Sequence, residues 1–420
     1  MYKTAIFSCA ILSIALIGLS CKNGATNNYY QGAGPSSQYS VVTDNPTAII
    51  SYAGLANLPR GTAMRLRVNR NNFEVWEVNV VFDALYTVAP DRLILCHTNS
   101  DFPIGAGDSG SPLLTSDGKI AGILCYGYDG NSNDFAARAI EDVLSIDSSI
   151  VSLPSSSTVF SEIQPVYVVS GYNAQAASKY PRLGKVLGKY TMQSGTPFAT
   201  QNNLSKIANN LAIPGSSIAV MYISGDNVNE MAIGTMSYIG NGNIFAFGHS
   251  FESFLAAPTY LASTGSFINS YTESFKMSEP STQLVGSFVI NDYNGVLIKQ
   301  NVQPLVAQLS TSCSINGQTV FSYHHQISNT PSFVDDKDFA ANLSCYLVYE
   351  NLVSLNKEAD STVATCTAQI MSDQESKNVT FVLRDNYIDG DIYSYLEDSL
   401  LTASSSKELK IFNLSVNLEY

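Results

Sequence analysis

Residues 107–112 read GDSGSP, and they give way at once to the apolar run PLLTSDGKIAGILCYGY. A serine hydroxyl is a weak nucleophile until a base takes its proton and N–H donors hold the oxyanion that forms. Gly107 and Gly110 permit a tight turn that can aim successive N–H groups at one point, so Ser109 is the candidate nucleophile. Glycine, aspartate and serine are also ordinary turn residues, which makes the hexamer alone a weak signal. The base would be a histidine, whose unperturbed pKa of about 6.5 lies near working pH. The chain has four. His249 closes the apolar segment NIFAFGHSF at a strand rim, and His97, after LILC, is its competitor. His324 and His325 are adjacent, point to opposite faces of a strand and make a poor joint site. Asp108 reads as an anchor of the loop, and Asp226 and Asp292 as turn residues.

The elements that must position these residues are mostly strands. Apolar runs are short, rich in Tyr, Phe, Val and Ile, and broken by Asn-Gly, Asp-Gly and Gly-Asn pairs. AMRLRV, FEVWEVNVVF, RLILC, SPLLT and IAGILCYG read as strands, with Ser116-Asp117-Gly118 as a hairpin turn. In NDFAARAIEDVLSI, Ala136, Ile140, Val143 and Leu144 recur at helical spacing and predict a helix from about Asn133. A second helical stretch, NAQAASKYPRLGKVL, follows the strand PVYVVSG. The chain divides into an export signal (1–21), a flexible tether (22–40), a strand-rich block holding GDSGSP (41–150), a linker with a helical segment (151–216), a second strand-rich block holding FGH (217–310) and a C-terminal β-domain with sandwich-like alternation (311–420).

Composition narrows the function. A hydrophobic fraction of 45% with only 14% charged residues describes a folded chain, and a net charge of -13 without a basic cluster argues against nucleic-acid binding. MYKTAIFSCAILSIALIGLSC has one early lysine, an apolar run and a cysteine after small residues. It reads as a bacterial lipoprotein signal with Cys21 as the lipid-bearing first residue of the mature chain, placing the protein in the bacterial envelope, exported and membrane-anchored through lipid; an uncleaved anchor is the alternative. Cys9 leaves with the signal, and the remaining cysteines are Cys96, Cys125, Cys313, Cys345 and Cys366, with no metal-ligand spacing. In an oxidising compartment Cys96 with Cys125, or two of the last three, are candidate bridges. No metal and no organic cofactor is implied.

The GDSG pattern resembles that of chymotrypsin-like peptidases, in which the central serine attacks and its own N–H acts with that of the glycine two residues earlier as the oxyanion hole. That resemblance implies Ser109 and Gly107 for those roles. More specifically, GDSGSPLLTSDGKIAGILCYGY, AIEDVL, VVSGYN, PGSSIAVMYISGD, GTMSYIGNGNIFAFGHSF and LVGSFVINDYNGVL resemble, in order from about 50 to 310, the sporulation stage IV protein B peptidase family. The resemblance implies a mostly β, chymotrypsin-like double β-barrel with a few helices, Ser109 as nucleophile and His249 as base. The chain departs from the family in order, since Ser109 precedes His249, so the two halves read as permuted; a triad is defined by geometry and tolerates this. The family's aspartate maps weakly onto Asp101 in CHTNSDFPIG, and a Ser-His dyad or an inactive site stays open. The resulting expectation is a serine endopeptidase acting on an envelope protein or peptide, against a catalytically inert scaffold or binding lipoprotein, or a surface adhesin using the C-terminal domain.

Overall fold

The computed structural model describes residues 39–98, 102–128, 131–147, 160–163, 166–170, 191–192, 212–250, 257–269, 274–300, 302–304, 306–328, 343–344, 346–348, 363–372, 376–384 and 409–419. Cys21, the tether as far as residue 38, Asp101, Cys345 and the helix expected over NAQAASKYPRLGKVL lie outside them, whereas Tyr39 and Ser40, read as the end of the tether, are strand paired to Val78 and Glu77.

The first sheet contains β1 (Tyr39–Val42), β2 (Ala63–Asn71), β3 (Glu74–Val88), β4 (Asp91–Thr98), β5 (Pro112–Thr115), β6 (Ile120–Tyr128), β7 (Asn131–Ala139) and β8 (Phe160–Glu162). Within it β3, β2, β5, β6, β7 and β4 follow one another, and β4 pairs back onto β3, which closes a six-strand barrel. The second sheet contains β9 (Val166–Ser170), β10 (Thr191–Met192), β11 (Ser217–Gly225), β12 (Asn229–Gly240), β13 (Asn243–Ala246), β14 (Ala257–Asn269), β15 (Ser274–Asp292), β16 (Gly295–Lys299), β17 (Val306–Ile315), β18 (Gln318–Ser328), β19 (Val363–Met371), β20 (Ser376–Arg384) and β21 (Ile411–Glu419). Here β12, β13, β16, β15, β14 and β11 close the second six-strand barrel through the β11–β12 pairing. The expected double β-barrel with few helices is therefore present. Beyond it β18 pairs with β11 and carries β17, β21, β19 and β20, so the C-terminal strands continue the second sheet.

Burial explains which strands the sequence announces clearly. In β17, β19 and β21 every second residue is inward, as with Ala364, Cys366, Ala368 and Ile370, and the other face is open. Barrel strands such as β5 and most of β11 are buried on both faces and read as continuous apolar runs. Leu114, Ile123, Ile140 and Val143 pack with Phe245 and Leu297 in one cluster, so the two barrels share apolar contact. The SDG turn joins β5 to β6, with the Gly118 N–H on the Thr115 carbonyl at 2.9 Å.

Two expectations are corrected. The helix read from Asn133 is strand β7 as far as Ala139, and only α1 (Ile140–Leu144) with the 3-10 turn Ser145–Asp147 after it is helical. Phe135 to Ala139 are all buried between β4 and β6, and ladder pairing on both sides overrides the helical spacing. Cys96 and Cys125 form no bridge; both are free and buried, in different apolar clusters on strands separated by β7. Cys313 and Cys366 are also free. They face Val416 from opposite sides, and two strand spacings, about 10 Å, exceed the reach of a disulfide.

Candidate active site between the two barrels

Ser109 lies in the loop from β4 to β5, at the face the first barrel turns toward the second. The loop bends at Gly107 (φ +86°) and Gly110 (φ +96°). Gly110 is required sterically as well, since a Cβ there would lie 2.1 Å from the Thr235 carbonyl oxygen and 2.6 Å from the Phe247 nitrogen, both in the second barrel. The Thr235 N–H donates to the Ser109 carbonyl at 3.0 Å. Ser109 is wholly buried, and its Oγ has no hydrogen-bond partner among the described residues. Neither the Gly107 nor the Ser109 N–H donates to the backbone of a described residue. The Ala106 carbonyl accepts from the Lys276 N–H at 3.1 Å, and this fixes the peptide that carries the Gly107 N–H.

Asp108 anchors this loop, as its place beside Ser109 suggested. It takes both Arg70 terminal nitrogens, at 2.5 and 2.7 Å, and the Gly105 N–H at 3.1 Å. Lys276 of β15 adds a second cation at 3.7 Å and donates to Ser217 Oγ (3.0 Å) and Thr235 Oγ1 (2.8 Å); Thr235 Oγ1 in turn donates to the Gly107 carbonyl at 2.9 Å. Burial and the Arg70 charge outweigh Asp108 and bring the Lys276 ammonium down to about 7. Nothing local marks this cluster, because Arg70 and Lys276 sit in unremarkable strand contexts.

His249 follows a tight bend. After β13, the Gly248 N–H returns to the Ala246 carbonyl at 2.8 Å around Phe247, whose φ is +67°, a γ-turn of the strained positive-φ kind. The bend turns the imidazole inward, fully buried. Its Nδ1 lies 2.7 Å from the Ser250 carbonyl and its Nε2 2.8 Å from the Ile163 carbonyl. Burial pushes the imidazole pKa down, opposed by Glu162 and by the two carbonyls. The Gly248 carbonyl is held by Arg138 at 2.7 Å, and Arg138 also donates to Asp91 and to the Tyr293 carbonyl. The Tyr293 hydroxyl closes this second cluster on Asp91 at 2.6 Å and meets Tyr126 at 2.8 Å.

The two halves meet at one atom. The Leu124 carbonyl accepts the Gly110 N–H at 2.8 Å, and a Cβ on Gly248 would lie 2.7 Å from the same oxygen. The residue after Ser109 and the residue before His249 are thus neighbours, although Ser109 Oγ is not hydrogen-bonded to the imidazole. The position of an orienting acid at Nδ1 is taken by the Ser250 main chain. The other candidates lie elsewhere. His97 pairs with Asp83 at 2.6 Å, with Arg60 3.5 Å from the same carboxylate, and is partly exposed. Asp226 receives the His324 N–H, and Asp292 caps its own turn through the Asn294 N–H. His324 is exposed and His325 buried, on opposite faces as expected. No protein-family model, curated protein or solved structure matches the chain.

Proposed function

We propose that this protein is an exported serine endopeptidase that acts by acyl transfer, with Ser109 as nucleophile and His249 as base. The observation that carries the reading is the meeting of the GDSGSP loop and the FGH bend between two closed six-strand barrels, with the Ser109 hydroxyl free of any partner among the described residues. In the reaction His249 Nε2 accepts the Ser109 proton while Oγ bonds to a peptide carbonyl carbon. The oxyanion rests on the Gly107 and Ser109 N–H groups. The imidazolium then protonates the leaving amine as the C–N bond breaks, and a water repeats the sequence to release the carboxylate. Burial favours the neutral imidazole that a base needs.

Resemblance to the sporulation stage IV protein B peptidases supports the same assignment, and the apolar run ending at Cys21 supports a lipid anchor in the bacterial envelope, where the substrate would be an envelope protein or peptide. A second reading, an inert scaffold of the same fold, draws on one fact: both His249 ring nitrogens face main-chain carbonyls. A fluorophosphonate probe separates the two. The first reading expects covalent mass on Ser109 that His249→Ala abolishes and His97→Ala leaves intact; a folded protein that never labels is the scaffold. Acyl chains retained by a Cys21→Ser variant would sink the anchor.

A further inference from the structure

The chain crosses from the first barrel to the second directly over this site. β8 belongs to the first sheet and β9 to the second, where it pairs with β12, and Ile163 lies between them. Phe160, Ser161 and Glu162 pair antiparallel with Tyr128, Gly127 and Tyr126 of β6. The pairing continues through the Ile163 N–H, which donates to the Cys125 carbonyl at 2.9 Å. The Ile163 side chain is 7% exposed, packs in the apolar cluster of the first barrel and lies over Gly127, where a Cβ would meet its Cγ1 at 3.5 Å. Its carbonyl ends on His249 Nε2. Strand pairing and a buried side chain are what a bound extended peptide presents, and the Ile163 carbonyl occupies the base nitrogen that the reaction needs.

We propose that Phe160–Ile163 is an internal peptide seated in the substrate groove, so that the site takes an extended peptide laid antiparallel along Cys125–Tyr128 with a branched aliphatic residue in the place of Ile163. The inference rests on the peptidase reading. It also accounts for the tautomer. Nε2 is the nitrogen that must take the Ser109 proton, and while it serves the Ile163 carbonyl it holds a proton of its own. When that carbonyl leaves, Nδ1–H can serve the Ser250 carbonyl and Nε2 is free as a base. A tethered occupant acts at an effective concentration in the millimolar range, so an outside peptide meets strong competition.

The test uses the full chain with Ile163→Pro, which removes the N–H on Cys125, and Ile163→Ala, which only trims the buried side chain. Two readouts are taken: the rate of fluorophosphonate labelling at Ser109, and fluorescence anisotropy of a labelled Phe-Ser-Glu-Ile amide on the same variants in a Ser109→Ala background. Labelling should speed up by about tenfold or more in Ile163→Pro, as expected when a minor competent state becomes the main one. The peptide should bind both variants, and a Phe-Ser-Glu-Asp amide should not. Labelling unchanged in both variants, with no peptide binding, overturns the proposal and leaves the segment a plain connection. Peptide binding without labelling in any variant keeps the groove and fails the peptidase reading; neither signal fails both. If circular dichroism shows that Ile163→Pro does not fold, Ile163→Ala decides.

Discussion

Two buried ionic clusters flank the site, and they are balanced differently. Behind His249 one carboxylate, Asp91, meets one cation, Arg138, with the hydroxyls of Tyr126 and Tyr293 completing the set. Beneath Ser109 one carboxylate, Asp108, meets two cations, Arg70 and Lys276. Burial opposes the Arg138 charge, but Cys125, Tyr126, Asp91 and Tyr293 around it raise its pKa and keep the guanidinium charged at any working pH. In the cluster with a surplus cation, burial, opposed by Asp108 and helped by the Arg70 charge, lowers the ammonium of Lys276 to about 7. The support of the base is therefore fixed, whereas the support of the nucleophile loop changes charge near neutrality.

The largest expected effect comes from breaking the balanced cluster. Arg138→Met strands Asp91 and leaves the Gly248 and Tyr293 carbonyls without their donor, which should cost about 3–5 kcal/mol in urea denaturation. A loss under about 1 kcal/mol would erase the contrast between the clusters.

Next is the pH dependence of the other cluster. The folded-state pKa of Lys276 is depressed below its ordinary 10.5, so between about 7 and 10.5 the unfolded chain binds the extra proton. Stability should then rise with pH across that window by up to about 1.4 kcal/mol per pH unit, and Lys276→Met should flatten this slope. Equal slopes in wild type and variant would show that the lysine keeps its proton in the folded state. Asp108 and Arg70 are the charged groups that face it.

The smallest effect is the most local. Ser109→Ala deletes a buried hydroxyl with no partner among the described residues and should stabilise the fold by roughly 1 kcal/mol, read as a higher Tm. A fall in Tm would mean that the hydroxyl makes a bond after all.

The sequence made some of this architecture plain. Short β-branched and aromatic runs with Gly and Asn turns announced the strands, and GDSGSP and FGH named the two residues whose neighbours meet at the Leu124 carbonyl. It misread β7, because Phe135 to Ala139 are buried on both faces and lack the alternation that marks a half-exposed strand. It passed over Lys276, Arg70, Arg138 and Asp91, since a charged residue in a strand looks the same whether its head meets water or a buried partner. It left the acid open, and Asp101 lies outside the described residues.

Local chemistry by itself determined the β class, the SDG hairpin and the glycine-bent loop around Ser109, because side-chain period and turn residues act over a few positions. Tertiary structure alone decided the closure of each barrel, the seating of β8 on β6 and the pairing of one carboxylate with two cations beneath Ser109 and with one behind His249. Those outcomes depend on strand pairings and side-chain contacts between residues far apart in sequence, and no local period encodes them.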